Sequence, residues 1–181
     1  MAFDYMTAAE AAEHFKNGDT VGLSGFTAPG TPKFIPEAIA AKAEREHAEG
    51  RPFKINLLTG ASTSDHVDGA LSRANALNFR APYQNVPDLR KRINSHDCHY
   101  DDRHLSEMAQ EVRYGFYGKV DWAIIEAADI TPDGEVILGT GVGNIPTYAK
   151  LADKIFIELN EALPKALYGM HDIYPVSYTH L

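Results

Sequence analysis

Val21-Gly22-Leu23-Ser24-Gly25-Phe26-Thr27-Ala28-Pro29-Gly30-Thr31-Pro32 decides the fold, because a short apolar run breaks off there into glycine, threonine and proline. Two further stretches follow the same plan: Ile55-Asn56-Leu57-Leu58-Thr59-Gly60-Ala61-Ser62-Thr63-Ser64 and Val136-Ile137-Leu138-Gly139-Thr140-Gly141-Val142-Gly143-Asn144. Brief aliphatic runs of this kind mark strands buried on both faces of a parallel sheet. Ligands of open α/β sheets bind outside the carboxyl ends of such strands, where glycine lets backbone N–H groups approach an anion. The pattern therefore predicts a small acidic ligand.

Working outward, Thr7-Ala8-Ala9-Glu10 has capping-box spacing and opens a short helix carrying Ala11, Ala12 and Phe15, up to Asn17-Gly18. A first strand is expected over residues 20–24. The alanine-rich, charge-laced stretch from Lys33 to Glu49 reads as a surface helix that Gly50-Arg51-Pro52 ends. A second strand at 53–58 reaches the Gly60 loop, a helix or turn spans 65–76, and an extended piece covers 77–80. Pro82 and Pro87 mark a loop, and helices are expected over 88–94 and 104–114. A strand at 121–126 is followed by the turn Pro132-Asp133-Gly134 into 135–138, as a hairpin beside the parallel strands. A helix over 144–152 and a last strand over 154–159 complete an α/β pattern: a mostly parallel open sheet with helices on both faces. No internal repeat or low-complexity tract interrupts it.

The chain has 181 residues, 44% hydrophobic and 23% charged, with a net charge of −8, which suits one ordinary core. That charge and the lack of a basic block argue against nucleic acid as a partner, so any anion must be held by local donors. The longest apolar run is too short to span a bilayer, and the first residues lack a signal-peptide pattern. With Cys98 as the single cysteine, the expectation is a cytoplasmic protein without disulfides or a membrane partner.

Several motifs invite sharper readings. Gly139-Thr140-Gly141-Val142-Gly143 follows a strand and precedes a helix like a dinucleotide fingerprint, but its spacing is wrong; a structural turn or a loop on the coenzyme side are the other readings. His96, Cys98, His99, Asp101, Asp102 and His104 could ligate zinc, yet no second segment supplies the partner half, and capping or surface roles suit them better. No metal is therefore expected. Cys98 has no evident electropositive helix start to stabilise a thiolate. Glu126 and Glu158, at strand ends, could act as nucleophile or base, or could be buried carboxylates satisfied by loop amides. Arg80 and Arg90-Lys91-Arg92 could meet phosphates, although the three adjacent charges also read as a solvated helix face.

Gly18-Asp19-Thr20-Val21-Gly22-Leu23-Ser24-Gly25-Phe26-Thr27, Pro32-Lys33, Leu58-Thr59-Gly60-Ala61-Ser62-Thr63, Asn78-Phe79-Arg80-Ala81-Pro82, Arg92-Ile93-Asn94 and Gly141-Val142-Gly143-Asn144 together resemble the amino-terminal domain of the acetyl-CoA hydrolase/transferase family. The resemblance runs from about Thr7 to Tyr174. It implies a CoA-transferase-like fold, one of two related domains that work across a shared cleft, and a homodimer when full length. It also implies ping-pong acyl chemistry with coenzyme A as substrate and no permanently held cofactor. A glutamate attacks an acyl-CoA thioester, and a glutamyl-CoA thioester then passes CoA to acetate, propionate, succinate or water. The nucleophile belongs to the carboxyl-terminal domain, so no catalytic residue is expected in this chain, which alone should be inactive.

By the same resemblance, one wall of the carboxylate pocket would be formed by Gly25, Phe26, Thr27, Gly30, Ser62 and Asn85, with Gly141, Gly143, Asn144 and Glu126 as further candidates. Asn85 stands where relatives carry threonine, so the larger amide would alter the pocket and the acid it prefers. Residues 1–174 are read as the domain, and residues 175–181, Pro175-Val176-Ser177-Tyr178-Thr179-His180-Leu181, as a non-native tail. The alternative function is a non-catalytic module that holds a small carboxylate or a nucleotide through the same loops.

Overall fold

In a computed structural model, which describes residues 3–170 and the backbone of Val176–Ser177, the three glycine-ended runs become strands of one sheet. The strands are β1 (Thr20–Leu23), β2 (Ile55–Leu58), β3 (Leu77–Ala81), β4 (His99–Tyr100), β5 (Trp122–Ile130), β6 (Glu135–Leu138), β7 (Lys154–Leu159) and β8 (Val176–Ser177). Their order is β4-β3-β2-β1-β5-β6-β8, and β7 pairs with β5. Pairing is parallel from β4 through β5 and between β5 and β7, whereas β6 and β8 run antiparallel. Ala127 pairs with both Leu138 and Leu159, so β6 and β7 flank β5 on opposite edges.

Alternation along β5 shows why the sheet is covered twice. Trp122 and Ile124 enter one core with Val21, Leu23, Ile55 and Leu57, while Ala123, Ile125 and Ala127 enter the other. The first core is roofed by α1 (Ala8–Glu13), α2 (Phe34–Ala48), α3 (Ala70–Arg73) and α4 (Pro87–Asn94), through residues such as Ala12, Ile39, Leu71 and Leu89. The second is roofed by α5 (Leu105–Arg113) and α6 (Ile145–Leu151), through Met108, Val112, Ile145 and Tyr148. The expected α/β sheet with helices on both faces is what forms.

Local chemistry follows the sequence closely at α1, where Thr7 Oγ1 accepts from the Glu10 N–H at 3.2 Å and Glu10 Oε2 accepts from the Thr7 N–H at 2.8 Å. The far end of α1 was not legible. Lys42 of α2, within the stretch read as a surface helix, is buried, and its ammonium donates to the carbonyls of Ala12, Glu13 and Phe15 at 3.2, 2.9 and 2.8 Å. A long side chain from a neighbouring helix thus caps the carbonyls at the end of α1, where Ala12 O also accepts from the Phe15 N–H at 3.2 Å.

Other differences have equally local causes. Residues 65–69 form a π-helical turn before α3, with Ser64 Oγ accepting from the Val67 N–H at 3.2 Å. Strand β5 runs four residues past the expected end because β6 pairs with its far half. The two-residue β4 was not anticipated and pairs with Phe79 and Arg80. Within the tail set aside above, Val176 and Ser177 pair with Val136 and Glu135; residues 171–175 and 178–181 lie outside the described residues.

Candidate functional site

Parallel β1 and β2 end side by side, and antiparallel β6 folds back along β5 toward them, so the three glycine-bearing loops meet and lock together through backbone. Thr27 bridges to Ser62, with the Thr27 N–H donating to Ala61 O at 2.8 Å and the Thr63 N–H to Thr27 O at 3.3 Å. Val142 O accepts from the Gly25 N–H at 3.4 Å. Gly30 and Gly141 lie so close that a Cβ on Gly30 would collide with the Gly141 carbonyl, and one on Gly141 with the Pro29 carbonyl. Gly143 sits over the Gly25 carbonyl in the same manner. Side chains are excluded here because three main chains share the space.

Thr27 has φ +53°, a left-handed conformation that is costly for a β-branched residue. It is over-determined by the two bonds to the second loop and by Thr31 Oγ1, which donates to Thr27 O at 2.9 Å. Phe26 beside it is 50% exposed, and Asn85 is exposed on the loop that leaves the carboxyl end of β3. Ser62, by contrast, is buried and its hydroxyl donates to Gly25 O at 3.1 Å. Asn144 ends the third loop, its amide 3.5 Å from Thr59 O. The Gly25, Phe26 and Thr27 N–H groups are all spent inside the loops, on Val142, Pro29 and Ala61 carbonyls; Phe26, Thr27, Ala28 and Pro29 of the first loop and Asn85 after β3 are exposed, and the Gly143-Asn144 turn is half-buried.

Two carboxylates clamp the ends of the first loop. Glu158, on β7, accepts the N–H groups of Lys33, Phe34 and Ile35 at 2.7, 3.1 and 3.1 Å. The start of α2, where a bound anion would be favoured, is therefore filled by the protein's own carboxylate. Glu126, 3% exposed on β5, accepts at Oε1 from Lys33 Nζ at 2.7 Å and from Asn160 Nδ2 at 2.6 Å. Its N–H donates to Ser24 Oγ at 2.9 Å, and Ser24 in turn donates to Gly30 O at 2.6 Å. Lys33 also donates to Thr31 O at 3.1 Å. Ser24, Lys33 and Asn160 were not singled out as site residues; Pro32-Lys33 was the one sequence signal.

Arg80 corrects a sequence reading. It is fully buried, and all five of its N–H groups are used. Nε and Nη2 donate to Asp68 at 2.8 and 3.2 Å, Nη1 to Thr59 Oγ1 at 2.8 Å and Ala81 O at 2.6 Å, and Nη2 to Ser62 O at 2.9 Å. No donor remains for a phosphate; the guanidinium instead fastens the second glycine loop to β3 and the π-helical turn. Tyr148 fastens the same loop from the other face, its hydroxyl donating to Thr59 O while burial holds its pKa above the ordinary value. On α4, Arg90 and Lys91 are exposed, and Arg92 is tied to Ser72 O at 3.0 Å.

Among the described residues no group of three or more His, Cys, Asp or Glu side chains could hold a metal ion, and no helix is long and apolar enough to cross a membrane. Cys98 is buried, and desolvation pushes its thiol from 9.0 up to about 11. Iodoacetamide at neutral pH is therefore expected to label Cys98 only after denaturation; rapid labelling of the native chain would contradict its burial. Because the folded state holds this proton more tightly than the unfolded one, the contribution to stability is complete below pH 9 and is lost as pH rises toward about 11.

Comparison with known proteins agrees with this architecture. The sequence model described as the acetyl-CoA hydrolase/transferase N-terminal domain matches residues 3–178. The chain is 51% identical over 155 residues to the propanoyl-CoA:succinate CoA transferase of Escherichia coli, covering 86% of this chain and 32% of that protein. It is 46% identical over 169 residues to the succinyl-CoA:acetate CoA-transferase of Clostridium kluyveri, covering 93% and 31%. With the acetyl-CoA hydrolase of Schizosaccharomyces pombe it shares 40% over 171 residues, covering 91% and 32%. The chain thus spans about a third of the length of these relatives. Among solved structures, glutaconate coenzyme A-transferase from Acidaminococcus fermentans shares the fold at TM-score 0.62 and 17% identity, over 84% of this chain and 68% of that one. RipA from Yersinia pestis does so at 0.67 and 16%, over 88% and 37%.

Proposed function

The chain belongs to the acetyl-CoA hydrolase/transferase family, and from that membership we propose that it forms the carboxylate-binding wall of an acyl-CoA site within a longer protein. The observation that carries the proposal is the convergence of three glycine-bearing loops, with Phe26, Thr27 and Asn85 left accessible there. A Lys33–Glu126–Asn160 cluster and the Glu158 cap hold the first of these loops from beneath. Rigid support of this kind is what a site needs to orient a small acid against a thioester.

In this proposal the reacting glutamate lies outside this chain. Its carboxylate oxygen attacks the thioester carbonyl, the C–S bond breaks, and CoA leaves as thiolate, giving a mixed anhydride. The thiolate then attacks the glutamyl carbonyl and expels the first carboxylic acid as its carboxylate. In a transferase an acceptor carboxylate, such as acetate, propionate or succinate, attacks the glutamyl-CoA carbonyl and releases CoA thiolate. The thiolate then attacks the acceptor's carbonyl in the new anhydride, giving the new acyl-CoA and freeing the glutamate. In a hydrolase water attacks the glutamyl-CoA carbonyl, and the glutamate and free CoA result. The residues of this chain would bind and orient the acid and shield the anhydride from water. Coenzyme A is substrate rather than a resident cofactor, and the longer protein would act as a homodimer.

The division of labour predicts that the purified 181-residue chain, given succinyl-CoA and acetate, forms no acetyl-CoA above the uncatalysed rate. Turnover by the chain alone would overturn it, because a nucleophile would then have to lie within these residues.

A further inference from the structure

A cavity of about 350 Å³ lies between α3 and α4, and no residue of the glycine loops lines it. That volume falls in the lower part of the range of small-molecule sites, about 300–1,000 Å³. Helix α3 gives it Ser72 and Arg73, α4 gives Asp88, Lys91 and Arg92, and the turn after α4 adds Asp97. The run Arg90-Lys91-Arg92, which reads in sequence as either a phosphate contact or a solvated face, is thus divided. Lys91 and Arg92 line the cavity, and Arg90 does not.

The acidic groups of the cavity are already engaged. Asp88 accepts from Arg73 Nη1 at 3.1 Å, and Asp97 accepts from Ser95 Oγ at 2.8 Å and from Arg92 Nη1 at 3.5 Å. Arg73 is spent in turn on Asp65, at 2.8 and 3.2 Å. What is left over is a set of donors. Arg92 uses Nε on Ser72 O at 3.0 Å, and its Nη2 has no partner among the described residues. The Lys91 ammonium is exposed and also lacks a partner among them. Ser72 is 1% exposed, yet its buried hydroxyl makes no hydrogen bond there. A buried polar group in a native fold almost always has a partner, so this hydroxyl marks a place for one. An ammonium, one edge of a guanidinium and a hydroxyl are the donor set that phosphate oxygens take. Further charges of a polyphosphate would meet Asp88 and Asp97, so a single phosphate group fits best.

We propose that this cavity binds one phosphate group, either free or carried by a small monoester. Its residues are not those of the glycine loops, so the proposal stands or falls apart from the function proposed above. Proton–nitrogen correlation titrations of the labelled 181-residue chain with inorganic phosphate and with glycerol 3-phosphate, at fixed ionic strength, test it. Saturable shifts are expected at residues 72–73 and 91–97. Tighter binding of glycerol 3-phosphate assigns the site to a phosphorylated metabolite, and equal binding assigns it to the free ion. Lys91→Met should weaken binding by about tenfold. Ser72→Ala should weaken it by about fivefold without lowering the urea midpoint, since the hydroxyl it removes holds nothing in the unliganded fold. Arg90→Gln, outside the cavity, should leave the affinity unchanged. Shifts that never saturate, or an affinity that falls as far in Arg90→Gln as in Lys91→Met, would mean general charge attraction and overturn the proposal. Binding indifferent to both Lys91→Met and Ser72→Ala would overturn it equally.

Discussion

Replacing Arg80 by methionine is expected to destabilise the chain by about 3–5 kcal/mol, among the largest effects of any single substitution, because it removes one partner of a buried ion pair. Asp68 would be left without its partner and with no solvent exposure, Thr59 Oγ1 and Ser62 O would lose the Arg80 donors, and Ala81 O would keep the Thr59 N–H at 3.0 Å. Urea denaturation followed by circular dichroism measures the loss. The double variant Arg80→Met, Asp68→Leu should recover part of it, since the uncompensated charge is gone while the orphaned loop acceptors remain. A loss below about 1 kcal/mol for Arg80→Met, the value of an exposed pair, would contradict the burial that defines this contact.

Gly30→Ala should be nearly as damaging, at about 2–5 kcal/mol, for two separable reasons. The residue has φ +71°, which costs an L-residue about 1–2 kcal/mol, and its new Cβ would meet the Gly141 carbonyl in a place where neither backbone can yield without parting the loops. Gly50→Ala is the control. Gly50 has φ +75° but nothing within 4 Å of a built Cβ, so it should show the backbone cost alone. The difference between the two variants in urea midpoint isolates the loop-to-loop contact. Equal losses would mean that the first and third loops do not press on each other in solution.

What was legible from sequence was whatever is written locally. The alternation of apolar runs and helical stretches gave the mostly parallel sheet, Thr7 and Glu10 gave the capping box, and the glycines after β1, β2 and β6 marked the loops that meet. What was not legible depended on distant partners. Arg80 at a strand end reads as a possible phosphate contact unless one knows that Asp68, on the turn before α3, comes to meet it. Lys42 reads as part of a surface helix because the carbonyls it serves lie 27 to 30 residues away. Glu158 was rightly placed at a strand end, but that it caps α2 across 123 to 125 residues follows from the β5–β7 pairing, which no local pattern encodes. Strand β4 is too short to carry a period, and β5 extends through Ala128 and Asp129 because β6 folds back onto it.

The interlocked loops also give glycine a steric role, since a Cβ on Gly30, Gly141 or Gly143 would strike the backbone of another loop. In sequence, glycine after a strand suggested donors offered to an anion; in the fold, the Gly25, Phe26 and Thr27 donors hold the loops to each other. The acid would then be met by the shaped surface of Phe26, Thr27 and Asn85 and by the Gly143-Asn144 turn.

The most direct test is a proton–nitrogen correlation titration of the isotope-labelled chain with acetate, propionate and succinate. Saturable shifts confined to the amides of residues 25–30, 61–64, 85 and 141–144 are expected, with the three acids differing most at Asn85. Shifts that never saturate, or that fall instead on the basic face of α4 around Arg90 and Lys91, would contradict a carboxylate-binding wall built from the glycine loops.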